Sequence, residues 1–169
     1  MNIIWHGHSC FEITGKDGTI VFDPYQANSV PGLNSLKLKA NLVLCSHEHD
    51  DHNARNCVEV APKDFKVTCI ETYHDHHQGS HRGKNTIHIV DFENLKVVHM
   101  GDIGCMMDDV SKLKNCDVLM IPIGGYYTID TKEALKYIER IQPRIVIPMH
   151  YHSHEFGYDV LSTNEEFIQ

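Results

Sequence analysis

Long apolar runs are missing from this chain. The longest, such as Ile145-Val146-Ile147-Pro148-Met149, are of strand length, far short of the ~20 residues that span a bilayer. Met1 to Trp5 carry no basic stretch, and His6 and Gly7 interrupt them, so no secretory signal is read there. Positive charge is scarce as well. Fifteen Lys and Arg face 23 Asp and Glu, a formal net charge of −8, with no cationic cluster of the kind that phosphate backbones require. The partner expected is therefore a small molecule, with neither nucleic acid nor membrane. Cysteine pairs are lacking too: Cys10, Cys45, Cys57, Cys69, Cys105 and Cys116 form no C-x-x-C, which removes zinc knuckles and redox dithiols. Cys10, Cys45 and Cys69 sit in strand-like apolar runs and are read as buried thiols of a cytoplasmic protein. Repeats, low-complexity tracts and an interdomain linker are also absent. Residues 1–169, 41% hydrophobic, are read as a single domain able to bury a core.

What the chain has in excess is histidine, 14 of 169 residues. The residues are spread along the chain rather than gathered in a tag, and neutral imidazole is the commonest metal ligand among side chains. Strand-like runs rich in Val and Ile fall at Ile3–Trp5, Cys10–Ile13, Thr19–Phe22, Leu42–Cys45, Val67–Glu71, Thr86–Asp91, Lys96–His99, Val118–Ile121 and Ile145–Met149. Ala134, Leu135, Ile138 and Ile141 recur at helical spacing over Thr131–Ile141, with Asp130 and Glu133 as a capping box and Pro143 as a stop. Shorter helices are expected at Ala54–Val60 and Asp108–Leu113, and loops at 23–40 and 75–84. Many strands and few helices suggest sheet packed on sheet with helices outside.

The chemistry gathers at His47-Glu48-His49-Asp50-Asp51-His52, which follows the strand Leu42–Cys45. Alternate side chains of an extended segment share a face, so His47 and His49 can grip one ion. Asp51 and His52 are neighbours and reach a second ion only if the chain turns. A chance match to H-x-H-x-D-H is expected in roughly one chain in a hundred of this composition, so context decides. Further donors follow other strands: His74 after Val67–Glu71, Asp102 after Lys96–His99, and His150 after Ile145–Met149. The carboxyl edge of a sheet is a common place for a binding crevice.

Five motifs, in order and covering residues 8 to 150, resemble those of the metallo-β-lactamase superfamily. They are Asp23 in Val21-Phe22-Asp23-Pro24, the His47-to-His52 segment, His74 before Asp75, Asp102 after Gly101, and His150 after Pro148-Met149. Gly7-His8-Ser9-Cys10-Phe11, Arg82-Gly83-Lys84-Asn85 and Ile121-Pro122-Ile123-Gly124-Gly125 are similar to a narrower branch of metal-dependent hydrolases that includes ascorbate-6-phosphate lactonase. The resemblance implies a compact α+β fold, a four-layer αββα sandwich, and two divalent ions, zinc first, with manganese, iron or nickel as alternatives. It implies one ion on His47, His49 and His74, another on Asp51, His52 and His150, and Asp102 bridging them. Asp51 takes a second, catalytic part by orienting the nucleophile. The implied activity is cleavage of a small anionic ester, lactone or phosphoester by a metal-bridging hydroxide. Asp102 stands where zinc β-lactamases commonly carry Cys, so β-lactam hydrolysis is not expected.

Other residues have two readings each. His8 is a turn residue packed beneath the site or a functional group, and Asp23 fits a carboxylate accepting from a ligand imidazole. Arg82 and Lys84 form a local cationic pair suited to an anion, against a solvated loop. Tyr126 and Tyr127 line the pocket or pack in the core. His76, His77 and His81 ride on a solvated loop near the entrance or touch substrate, His88 and His99 are structural, and His152 and His154 lie on the surface or bind substrate. Two other functions compete: a phosphodiesterase or nuclease, which the acidic balance disfavours, and a metal-binding sensor without turnover. A homo-oligomer, with a second copy completing the pocket wall, is a further expectation.

Overall fold

The computed structural model describes residues 1–169. Its strands are β1 (Asn2–Gly7), β2 (Cys10–Gly15), β3 (Gly18–Phe22), β4 (Leu38–Ala40), β5 (Leu42–Leu44), β6 (Val58–Val60), β7 (Lys66–Tyr73), β8 (Lys84–Phe92), β9 (Leu95–His99), β10 (Val118–Pro122) and β11 (Ile145–Met149). Helix α1 covers Thr131–Ile141, and a four-residue helix, α2, covers Glu165–Ile168. Every strand expected from the apolar runs is present, and α1 has the expected bounds. No helix is long and apolar enough to cross a membrane.

The strands form two main sheets, ordered β1-β2-β3-β5 and β11-β10-β9-β8-β7, with β4 and β6 paired apart from them. Period-two alternation assigns their faces. Phe11, Ile13, Ile20 and Phe22 of the first sheet meet Val90, Phe92, Val97, Val118, Met120 and Met149 of the second. The opposite face of the second sheet, with Ile87, Ile89, Val98, Leu119 and Ile121, packs against Ala134, Tyr137 and Ile141 of α1. Outside the first sheet, Cys10 and Val21 are covered by Tyr25, Val30, Ala40 and Val58, so that layer consists of loop and the β4–β6 pair rather than a long helix. The α+β expectation holds, with one substantial helical layer.

Local chemistry explains the connections. Glu93 and Asn94 between β8 and β9 have φ of 52° and 64°, the double positive φ of a tight hairpin turn whose twist matches that of the strands. The Asp130 carboxylate accepts from Glu133 N at 2.9 Å, while the Glu133 carboxylate accepts from Asp130 N at 3.2 Å. Gln142 then closes α1 in the left-handed conformation before Pro143. Tyr137 is the large buried residue of the helix, and Leu135, expected to face inward, is 48% exposed.

Two short helices expected from the sequence do not form. Over 54–60 only one 3-10 turn, Arg55–Cys57, exists, because Val58–Val60 pairs in parallel with Leu38–Ala40. Over 108–113 the Asp109 carboxylate accepts from Ser111 N and Ser111 Oγ, and Arg140 binds the Met107 and Asp108 carbonyls. Those bonds hold a turn instead. Cys69, expected to be buried, is exposed on β7, an edge strand paired only with β8.

Candidate metal centre

Parallel pairing places several strand ends at one edge of the sandwich. β3 pairs in parallel with β5, and β9, β10 and β11 are parallel neighbours. The chain leaves β3 into Asp23, β5 into Ser46 and His47, β7 into His74, β9 into Asp102 and β11 into His150. A turn in which His52 N donates to His49 O at 2.9 Å reverses the chain, so that Asp51 and His52 join His8 and His150 while His49 stays with His47 and His74.

The side chains then fall into overlapping groups. Donor atoms of His47, His49 and His74 lie within 4.8 Å of one another, as do those of His8, Asp51, His52 and His150. Between the groups stands Asp102. Its Oδ2 is 3.0 Å from His150 Nε2, 3.1 Å from His52 Nε2, 3.3 Å from His74 Nε2 and 3.9 Å from His47 Nε2. His47 Nε2, His52 Nε2 and Asp102 Oδ1 are buried without a hydrogen-bond partner. Unpaired buried polar atoms are costly, and nitrogen and carboxylate donors converging in this way suit borderline divalent cations.

Asp23 organises the layer behind these donors. Its Oδ1 accepts from Ser46 N at 2.6 Å, and its Oδ2 accepts from Ser46 Oγ at 2.6 Å and His52 Nδ1 at 2.9 Å. With its proton committed to Asp23, Ser46 Oγ accepts from His47 Nδ1 at 2.9 Å. Both imidazoles thus carry hydrogen on Nδ1 and turn Nε2 toward the centre. Burial opposes charge on Asp23, but the His52 hydrogen bond and the surrounding histidines hold its carboxyl well below the usual range. Burial likewise opposes charge on His52, yet Asp102 and Asp51 together raise its pKa well above that of a free imidazole. Burial and the neighbouring His52 bring His47 down to about 3.

Asn85, named in the sequence only as part of a motif, fixes Asp102. Its Oδ1 accepts from Asp102 N at 2.8 Å, while its Nδ2 donates to Met100 O and Thr72 Oγ1, both at 2.9 Å. Gly101 allows that approach: its φ is +57°, and a Cβ there would lie 2.3 Å from Asn85 Oδ1 and 2.4 Å from Ser46 Cβ. His99 steadies the same turn from beneath, its Nε2 donating to Ser9 O at 2.9 Å and its Nδ1 accepting from Gly101 N at 3.2 Å. His8, Asp23 and His150 all have positive φ, a concentration of strained backbone typical of functional sites.

A cleft of about 270 Å³ opens onto this cluster, lined by His49, Asp51, His74, Arg82, Asp102, Tyr127, His150 and Tyr158. His8 lies beneath it, fully buried, with Nε2 3.1 Å from Asp51 Oδ2. Tyr158, which the sequence did not single out, donates to Ser29 O at 2.7 Å and lies 3.4 Å from Asp51 Oδ2. Tyr127 rather than Tyr126 faces the cleft. The tight turn Tyr127 N to Gly125 O leaves Tyr126 64% exposed, beside a neighbouring depression. The expected Arg82–Lys84 pair also divides: Arg82 lines the cleft, whereas Lys84 reaches Glu71 at 3.2 Å. His76, His77, His81 and His154 are exposed as expected, and His152 is half-buried. His88 and His99 pair across β8 and β9, with both side chains buried.

A sequence model of the beta-lactamase superfamily domain matches residues 2–150. The chain is 28% identical to a UPF0173 metal-dependent hydrolase of Thermoplasma acidophilum, over 98% of this chain and 88% of that protein. It is 30% identical to another of Staphylothermus marinus, over 87% and 82% respectively. Among solved structures, a Thermotoga maritima protein of the metallo-β-lactamase superfamily superposes with a TM-score of 0.75 at 26% identity, covering 98% of this chain and 83% of that one.

Proposed function

Because the chain belongs to the beta-lactamase superfamily, among its UPF0173 metal-dependent hydrolases, we propose that its histidine–aspartate cluster holds two divalent ions and hydrolyses a small ester, lactone or phosphoester. The observation that carries the proposal is the Asp102 carboxylate, with one oxygen within 3.0 to 3.9 Å of four imidazole Nε2 atoms and the other buried without a partner. His47, His49 and His74 would hold one ion, Asp51, His52 and His150 the other, and Asp102 would bridge them. Zinc is favoured, and manganese, iron and nickel also accept these donors. Such a pair supplies Lewis acidity and brings the pKa of a water to about 7.

The chain's own residues do the rest. Asp23, acting on His52 directly and on His47 through Ser46, fixes the Nδ1 hydrogens of both imidazoles and so turns their Nε2 atoms toward the centre. Asp51, held by His8 and flanked by Tyr158, orients the attacking water. Tyr127 lines the cleft, and its hydroxyl is suited to serve the oxygen that gains charge as the bond breaks. A cleft at the small end of ligand-site volumes suits a small substrate. Six unpaired cysteines suit a reducing compartment, which supports the cytoplasm as its location.

Elemental analysis of purified wild type is expected to give close to two metals per chain, and His49→Ala fewer. The same two proteins, metal-loaded, are to be assayed against lactones, acyl thioesters, phosphomonoesters and phosphodiesters. Turnover in wild type that drops at least a hundredfold in the variant is expected; equal rates would sink the hydrolase reading.

A further inference from the structure

The chain has four arginines, and three are engaged. Arg55 pairs with Glu48 at 2.6 Å, Arg144 with Asp117 at 2.7 Å, and Arg140 donates to two main-chain carbonyls at 2.7 Å. Arg82 is different: its guanidinium makes no ion pair or hydrogen bond, although the chain carries 23 acidic residues. It stands instead at the mouth of the metal cleft, with Cζ 5.4 Å from the centre of the Tyr127 ring and 6.0 Å from that of Tyr126. Its main chain is fixed, because Arg82 N donates to Asp75 Oδ2 at 2.8 Å. The same carboxylate group gathers the amides of His77, Gly79 and His81.

Aromatic faces hold a guanidinium flat and leave its N–H edge available, and that planar fork matches the two oxygens of a carboxylate or phosphate. Arg82 is also the one permanently cationic side chain lining the cleft, in a protein of net charge −8. An anionic substrate is repelled by such a surface unless positive charge is set locally at the entrance.

We propose that Arg82, stacked on Tyr127, is the specificity residue of this site: it binds an oxyanion group, carboxylate or phosphate, that the substrate carries away from the bond to be cleaved. The proposal rests on the hydrolase reading above and narrows it to substrates bearing a second, non-reacting anionic group.

The test uses 4-nitrophenyl esters of one acyl chain ending in a methyl, a carboxylate or a phosphonate, with zinc-loaded wild type, Arg82→Gln and Arg82→Lys. In Arg82→Gln, KM for the carboxylate and phosphonate esters is expected to rise roughly tenfold to hundredfold, the loss of a charge-assisted hydrogen bond, with kcat within threefold and the methyl ester unaffected. Arg82→Lys restores part of the loss. The difference between the two anionic arms identifies which oxyanion is preferred. Equal loss on all three esters, or none, overturns the proposal. Should no ester be hydrolysed, calorimetric titration of the same proteins with glutarate and a phosphonate judges the arginine separately from the hydrolase reading. Binding at least tenfold tighter in wild type supports the anion site, and equal binding overturns it.

Discussion

At the scale of single residues, Asp23 reaches furthest. It touches no donor atom that faces the centre, yet it sets the tautomer of His52 directly and of His47 through Ser46. Asp23→Asn keeps the shape but places an amide where three donors converge. Zinc affinity, read by competition with a chromophoric chelator, is expected to weaken roughly tenfold to hundredfold, and unchanged affinity would remove Asp23 from the site. His88 governs a different property. Burial lowers its pKa from 6.5 to about 4, so between those values the unfolded chain takes up a proton that the folded chain refuses. Stability is therefore fully present above pH 6.5 and is lost as pH falls toward 4, by roughly 2–3 kcal/mol from this group. Urea unfolding at pH 7 and pH 4.5 is expected to show a smaller acid loss in His88→Leu than in wild type; parallel losses would contradict it. Sequence legibility at this scale follows sequence distance. The donors of 47–52 are adjacent and announce themselves, whereas Asn85 and Tyr158 act on Asp102 and Asp51 across the fold, and a lone Asn or Tyr carries no local signal of that.

Among the elements, those whose partners are local were readable and those that depend on distant partners were not. Helix α1 carries its own start, stop and apolar face in eleven residues, and the longer strands alternate against two sheets. The 54–60 segment has ordinary helix formers, but its valines are taken by β4, which stands far before it in sequence. Tertiary pairing outweighed propensity there. Helix α1 also secures the loop after Asp102: Tyr137 Oη accepts from Met107 N at 2.8 Å and donates to Cys105 O at 2.9 Å. Tyr137→Phe leaves both groups unsatisfied, and a loss of about 2 kcal/mol is expected, a fall of roughly 4–8 °C in Tm for a chain of this size. Metal content should not change. A variant that unfolds with wild-type Tm would show that the loop holds without the helix.

For the molecule as a whole, donors that converge unpaired make the fold depend on what binds them. Chelation is expected to lower Tm on the order of 10 °C, since each site filled at a hundredfold excess over Kd contributes about 2.7 kcal/mol. Superimposable melting curves with and without chelator would argue against two sites. The superfamily match ends at His150. The remaining residues return over the cleft, where Tyr158 forms part of its wall and Tyr151 and Phe156 pack on Trp5, each with ring centres 5.5 Å from it. Mutations accumulating after residue 150 can reshape the cleft wall while every proposed donor lies at or before His150 in sequence, so directed evolution of this scaffold has there a stretch in which pocket shape can vary with the donor set intact, Tyr158 beside Asp51 excepted.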